Sequence, residues 1–238
     1  AQLQSLRFSA NPNAYGNTSF SYSVTDSAGA STAESFSISV LPVNDEPSIS
    51  IGNADSATAT LSETNTSLTT SGTLSIADRD LNTAFLTPSL LSVSASGTTN
   101  GLNTALTDNK NAALLAMLRL NAGALSNGQA SLSWTFDSGN EVFDYLAADE
   151  SLTLTYSVSV TDPDGSSSSP QSITVTVYGS NDGPQLTAAQ AVLPNTPEDQ
   201  PISLTSAQLL TGFSDLDRSD ALRVTNLSAT NGTLLQNA

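Results

Sequence analysis

The chain has 238 residues, with 22 acidic and 6 basic side chains, a formal net charge of −16, no cysteine and no histidine. Its length allows one or two ordinary domains, each able to bury a core. The charge excludes a nucleic-acid partner, because phosphate binding needs clustered Lys and Arg, and the missing thiols and imidazoles exclude zinc, haem and iron–sulfur centres along with Ser-His and Cys-His nucleophile pairs.

Residues 1–47 read as the end of a domain. The stretch begins Ala1-Gln2-Leu3-Gln4, which is not a signal peptide, so a piece of a longer protein is expected. Leu6-Arg7-Phe8, residues 20–24 and residues 36–40 alternate apolar with small polar side chains, the period of strands with one buried face. Asp26-Ser27-Ala28-Gly29 lies between the last two and predicts a hairpin. Asn44-Asp45-Glu46-Pro47 follows, and its proline closes the segment as a linker.

Residues 48–184 hold a full set of short alternating strands, the clearest at 132–136, 152–160 and 173–177, which predicts an antiparallel sandwich. Trp134 reads as core. Residues 112–118 break the pattern and favour one short helix after Asn111 as N-cap, covering an open end. No apolar run approaches about 18 residues, so membrane insertion is not expected.

Residues 185–238 resemble the start of another domain, with candidate strands at 202–204, 222–224 and 233–235. An internal repeat links the three parts. Val24-Thr25-Asp26 returns as Val160-Thr161-Asp162, and about 137 residues separate Asn44-Asp45 from Asn181-Asp182 and Asp78, Asp80 from Asp215, Asp217. A trailing half, a whole and a leading half of one repeat result.

The acids gather at the two boundaries. In a seven-stranded Greek-key sandwich, Asp78, Asp80 and Asp162 should meet the Asn44-Asp45 linker. Asn181, Asp182, Glu198, Asp199, Asp215 and Asp217 should form the second group. With almost no bases to pair them, these oxygens point to Ca2+, which takes six to eight oxygen ligands. Asp162-Pro163-Asp164-Gly165 lacks the spacing and final Glu of an EF-hand. Asp144 with Asp149 and Glu150 could be set against a glycosidase pair, but they lie at a strand start in a chain with 5% aromatics, and no enzyme is expected. Lys110 is the one lysine and reads as a solvated loop residue.

Residues 20–47, through Phe20-Ser21-Tyr22-Ser23-Val24-Thr25-Asp26 and Val43-Asn44-Asp45-Glu46-Pro47, resemble the cadherin-like tandem repeats of large bacterial surface proteins. Residues 48–184 look like a VCBS repeat, through Trp134-Thr135-Phe136-Asp137, Phe143-Asp144-Tyr145-Leu146-Ala147 and Leu152-Thr153-Leu154-Thr155-Tyr156. Residues 193–238 resemble the opening of a cadherin-like repeat, through Pro197-Glu198-Asp199, Leu209-Leu210 and Asp215-Leu216-Asp217. Asp149 stands where that family commonly has glycine. The resemblance implies an all-β chain of Ig- or cadherin-like antiparallel sandwiches in tandem, within a secreted RTX-type adhesin of the bacterial cell surface. It implies calcium at the junctions, with Glu63 joining the first of them. The function implied is that of an extender in cell adhesion and biofilm, with neighbouring repeats as partners. The alternative is a module that binds a glycan or peptide through the loop at 97–109. The two half repeats should be marginal alone, so head-to-tail self-association or disorder of the halves is expected in preference to closure within one chain.

Overall fold

The computed structural model describes residues 5–80, 84–102 and 112–235. It is all-β. Strands β1 (Gly16–Thr25) and β2 (Ser31–Val40) form a hairpin, and the central unit follows as β3 (Ser48–Ser50), β4 (Thr58–Ser62), β5 (Thr69–Ala77), β6 (Thr87–Gly97), helix α1 (Ala112–Ala116), β7 (Leu118–Ala122), β8 (Gln129–Asp137), β9 (Ser151–Thr161) and β10 (Gln171–Tyr178). Beyond it lie β11 (Gln185–Leu186), helix α2 (Ser206–Leu209) and β12 (Phe213–Ser214).

The central unit is a sandwich of two four-stranded sheets, ordered β4-β10-β9-β6 and β3-β5-β8-β7. Alternation explains it. On β9 every second residue, Leu152, Leu154, Tyr156, Val158 and Val160, is fully buried, as are Ile173, Val175 and Val177 on β10. Leu74, Ile76, Leu132, Trp134 and Phe136 face them from the other sheet, while the intervening Ser and Thr lie outward.

Every ladder among the described residues is antiparallel except one: β4 pairs parallel with β10. The chain leaves β3 in one sheet and joins the other sheet at β4, and Asp55 holds the crossing. Its carboxylate accepts from Gly52 N–H at 2.7 Å, Ser75 Oγ at 2.7 Å and Thr73 Oγ1 at 3.0 Å. Those bonds, that of Ser75 foremost, hold the Asp55 carboxyl below the usual range. The contribution of Asp55 is therefore present above the unfolded value of about pH 4 and is lost as pH falls through the lower folded value. Asp55→Ala is expected to cost about 2 kcal/mol at pH 7, with the gap to the parent narrowing in urea unfolding at acid pH.

Trp134 is core, as its alternation predicts, and Gly72 stands opposite it on β5. A Cβ at Gly72 would lie 2.6 Å from the indole ring, so glycine is what lets the ring lie flat across the strand. Indole Nε1 donates to the carbonyl of Ser56 at 2.8 Å. Trp134→Phe leaves that carbonyl without its donor, and circular-dichroism unfolding should show a loss of about 2 kcal/mol.

Several local expectations differ from the structure. The helix stops at Ala116, and Leu118 instead opens β7, because its backbone pairs opposite Phe136 on β8. Asn111, read as its N-cap, lies outside the described residues. Residues 6–8, 202–204, 222–224 and 233–235 are not strands; their alternation is not matched by a neighbouring strand that offers a ladder. Helix α2 was not anticipated, although Thr205 and Gln208 carry the capping-box signal and form both of its bonds.

Candidate metal centres at two junctions

The first junction collects side chains from four parts of the chain. Asn44 Nδ2 donates to Asp162 Oδ2 at 2.8 Å and to Ser166 Oγ at 3.0 Å, so the linker is tied to the turn between β9 and β10. The backbone N–H of Asp45 donates to Asp80 Oδ2, and Asp80 N–H donates to Asp78 Oδ1 at 2.9 Å. From upstream, Asn13, with its amide turned so that oxygen and nitrogen exchange places, donates to Asp45 Oδ2 at 3.0 Å and accepts from Arg79 Nη1 at 2.5 Å. Asp78 is 2% exposed and its Oδ2 has no hydrogen-bond partner. Burial would raise the Asp162 carboxyl, but bonds from Asn44 and from the N–H groups of its own turn outweigh burial and lower it.

The second junction repeats this wiring. Asp182 N–H donates to Asp217 Oδ2 at 2.8 Å and Asp217 N–H donates to Asp215 Oδ1 at 3.1 Å. The linker Asp lies 35 residues before its acceptor in both places. Asp144, in the loop before β9, joins this group. The carboxylates here are crowded and dry: Asp217 is 1% exposed, and Asp144 Oδ1, Asp182 Oδ2 and Asp217 Oδ1 are buried without partners. Burial first, then the charges of Glu63 and Asp182, push the Asp144 carboxyl up. Burial likewise leads in raising Asp217, helped by Asp182, Asp220 and Asp215.

Glu63 belongs to this second junction, which corrects its expected place at the first. It is 2% exposed, with Oε2 accepting from Ser180 Oγ at 2.6 Å and Oε1 accepting from Asn65 N–H. Asn65 Nδ2 in turn donates to Asp182 Oδ1 at 2.6 Å. The parallel ladder is the reason: β4 and β10 run in the same direction, so Glu63, just past β4, emerges beside Tyr178 and donates its N–H to that carbonyl at 2.8 Å. Asp144 is a junction residue that sequence reasoning missed, since only the fold brings it beside Glu63 and Asp182. Glu198 and Asp199 are exposed, and no hydrogen bond joins them to either group among the described residues.

Among the described residues, no three Asp or Glu side chains converge closely enough to hold an ion by carboxylates alone. The fit to a cation is carried by the four orphaned oxygens, since a buried carboxylate oxygen without a partner is costly and each junction also holds Asn side chains. Of the loop at 97–109, residues 103–109 lie outside the described residues, as does Lys110. No helix among the described residues is long and apolar enough to cross a membrane.

The fold and its two acidic joints define a class: an antiparallel β-sandwich joined at each end, through a linker that carries carboxylates, to a further β segment. Residues 180–238 match the cadherin-like domain family. No curated protein matches it. Among solved structures, it is similar to the CooA pilin subunit of enterotoxigenic Escherichia coli (13% identity, TM-score 0.33, 58% of this chain and 100% of that one). Fibronectin(III)-like modules of Clostridium thermocellum CbhA are also similar (14% identity, TM-score 0.26, 70% and 64%). So is the SrpA adhesin of Streptococcus sanguinis (12% identity, TM-score 0.28, 63% and 70%).

Proposed function

We propose that this chain is a calcium-stiffened extender segment of a secreted bacterial surface adhesin, of the RTX type with a VCBS-like central repeat, serving cell adhesion and biofilm. The unit boundaries at 47/48 and 184/185 fall at the acidic linkers. The observation that carries the reading is the repetition of one hydrogen-bonded frame at both linkers, each with buried carboxylate oxygens that lack partners. At the first, Asn44, Asp45, Asp78, Asp80 and Asp162 would hold the ion; at the second, Glu63, Asp144, Asn181, Asp182, Asp215 and Asp217. Side-chain amide and backbone carbonyl oxygens would complete either set. The ion supplies charge neutralisation and fixes the angle between successive units. Without it the like charges repel and the joint bends more freely.

Calcium titration by calorimetry tests this. Binding heat is expected in the parent chain, reduced in one class of site by Asp78→Asn and in the other by Asp217→Asn. The absence of heat above a chelated baseline overturns the reading. The role is mechanical, and it assigns the chain no catalysis.

A further inference from the structure

Asp144 and Asp217 each bring a buried oxygen without a partner to the second junction, and the residues that directly follow them bind each other. Arg218 N–H donates to Tyr145 O in a long bond of 3.4 Å. The guanidinium reaches further, with Nη1 donating to Asn100 O at 2.9 Å. One arginine beyond the linker therefore holds two loops of the central sandwich, the loop that carries Asp144 and the loop that follows β6.

The receiving surface is well braced. Residues 99–102 form a turn closed by Leu102 N–H donating to Thr99 O at 3.2 Å, which leaves the carbonyl of Asn100, its second residue, unused by the turn itself. Thr98 N–H donates to Ser151 O at 2.8 Å and ties the turn to the start of β9. Tyr145 is 6% exposed, and its hydroxyl donates to Thr98 O at 3.2 Å. Gly101 lets the ring lie against the turn, since a Cβ there would stand 1.9 Å from it. Burial, then the charge of Glu141, push the Tyr145 hydroxyl up while the Arg218 charge opposes them, so the hydroxyl remains a donor at neutral pH.

The first junction has an arginine of its own, differently placed. Arg79 lies between Asp78 and Asp80 and donates to the turned amide of Asn13. Leu216 takes the corresponding place between Asp215 and Asp217, and the arginine follows one residue after the second Asp. At both junctions an arginine beside the Asp pair thus reaches back past the linker to an Asn oxygen, of the side chain at Asn13 and of the backbone at Asn100. Both acceptors are neutral, so neither contact uses a carboxylate, and a cation at the junction does not compete with it.

We propose that Arg218 is a positioning residue, a calcium-independent latch that holds residues 215–218 against Tyr145 and the turn at 99–102 and so sets the direction of the second joint before any ion arrives. Because Arg218 follows Asp217 and Tyr145 follows Asp144, the latch also fixes the spacing of those two carboxylates. It rests on the reading of this linker as a joint between units and not on the ion, so a calcium titration without heat leaves it standing.

The chain has no cysteine, so spin labels at Thr60→Cys and Ala207→Cys, both exposed positions, report on the joint by double electron–electron resonance. In chelator, the labelled parent is expected to give one narrow distance distribution. Arg218→Gln should raise the share of molecules outside that peak about tenfold, the ratio that loss of one hydrogen bond to a charged group allows. Arg119→Gln, which removes the same charge from β7, should leave the distribution unchanged, and Trp134 fluorescence should show the central sandwich folded in every variant. A broad distribution for the parent in chelator overturns the proposal. So does an Arg218→Gln distribution that matches the parent, or one that Arg119→Gln reproduces.

Discussion

Adding calcium to chelator-treated protein is expected to raise its melting temperature by roughly 5 to 10 °C. An ion at one hundred times its dissociation constant stabilises the folded state by about 2.7 kcal/mol, and for chains of this size each kcal/mol moves the midpoint by roughly 2 to 4 °C. Magnesium should do much less, since it retains its waters and demands a small octahedron. Asp217→Asn gives a sharper signature because its effect changes sign. Its carboxyl is buried among like charges and pushed above the usual range, so ionising it at neutral pH opposes folding when no cation is present. The amide oxygen can still accept from Asp182 N–H. In chelator the variant should melt at or above the parent; in calcium it should melt below it. Equal melting curves in chelator and millimolar calcium, for parent and variant alike, would remove the ion from the account.

The period-2 runs made the sandwich legible, because Leu152 to Val160 can bury one face only as a strand between two covered sheets. The acidic linkers were legible for a similar reason: Asp residues recurring at one spacing, in a chain with few bases, carry a charge that its own Lys and Arg cannot balance. Sequence spacing did not reveal direction. Glu63 lies nearer in the chain to Asp45 than to Asp182, yet β4 runs parallel to β10 and carries it to the far end. That pairing depends on the chain switching sheets around Asp55, a tertiary event. Asp144 was hidden for the opposite reason, since its local sequence resembles any strand approach and only the fold brings it to Glu63 and Asp182. The candidate strands after residue 200 show alternation without a ladder, and a strand is stabilised by its neighbour more than by its own pattern.

Gly179→Ala is expected to be among the most damaging single methyl additions in the chain, and to strike the second junction selectively. Gly179 joins β10 to the linker, and its N–H donates to Glu150 O at 3.0 Å. A Cβ there would lie 2.2 Å from both the Leu146 and the Ala147 carbonyl oxygens. These are backbone atoms of the loop that begins at Asp144, so no side-chain rotation relieves the clash; the linker and the loop must separate. Overpacking of this kind costs about 3 kcal/mol. The separation would draw Ser180 from Glu63, bonded at 2.6 Å, and pull Asp144 away from Asp182. Calorimetry should then lose the sites of the second junction and keep those of the first. Gly183→Ala is the matched control, four residues on, where an added Cβ meets nothing within 4 Å, and its stability should stay within about 0.5 kcal/mol of the parent. If Gly179→Ala melts with the parent and keeps the full calcium heat, the close pass of the linker against the Asp144 loop is not what holds this junction together.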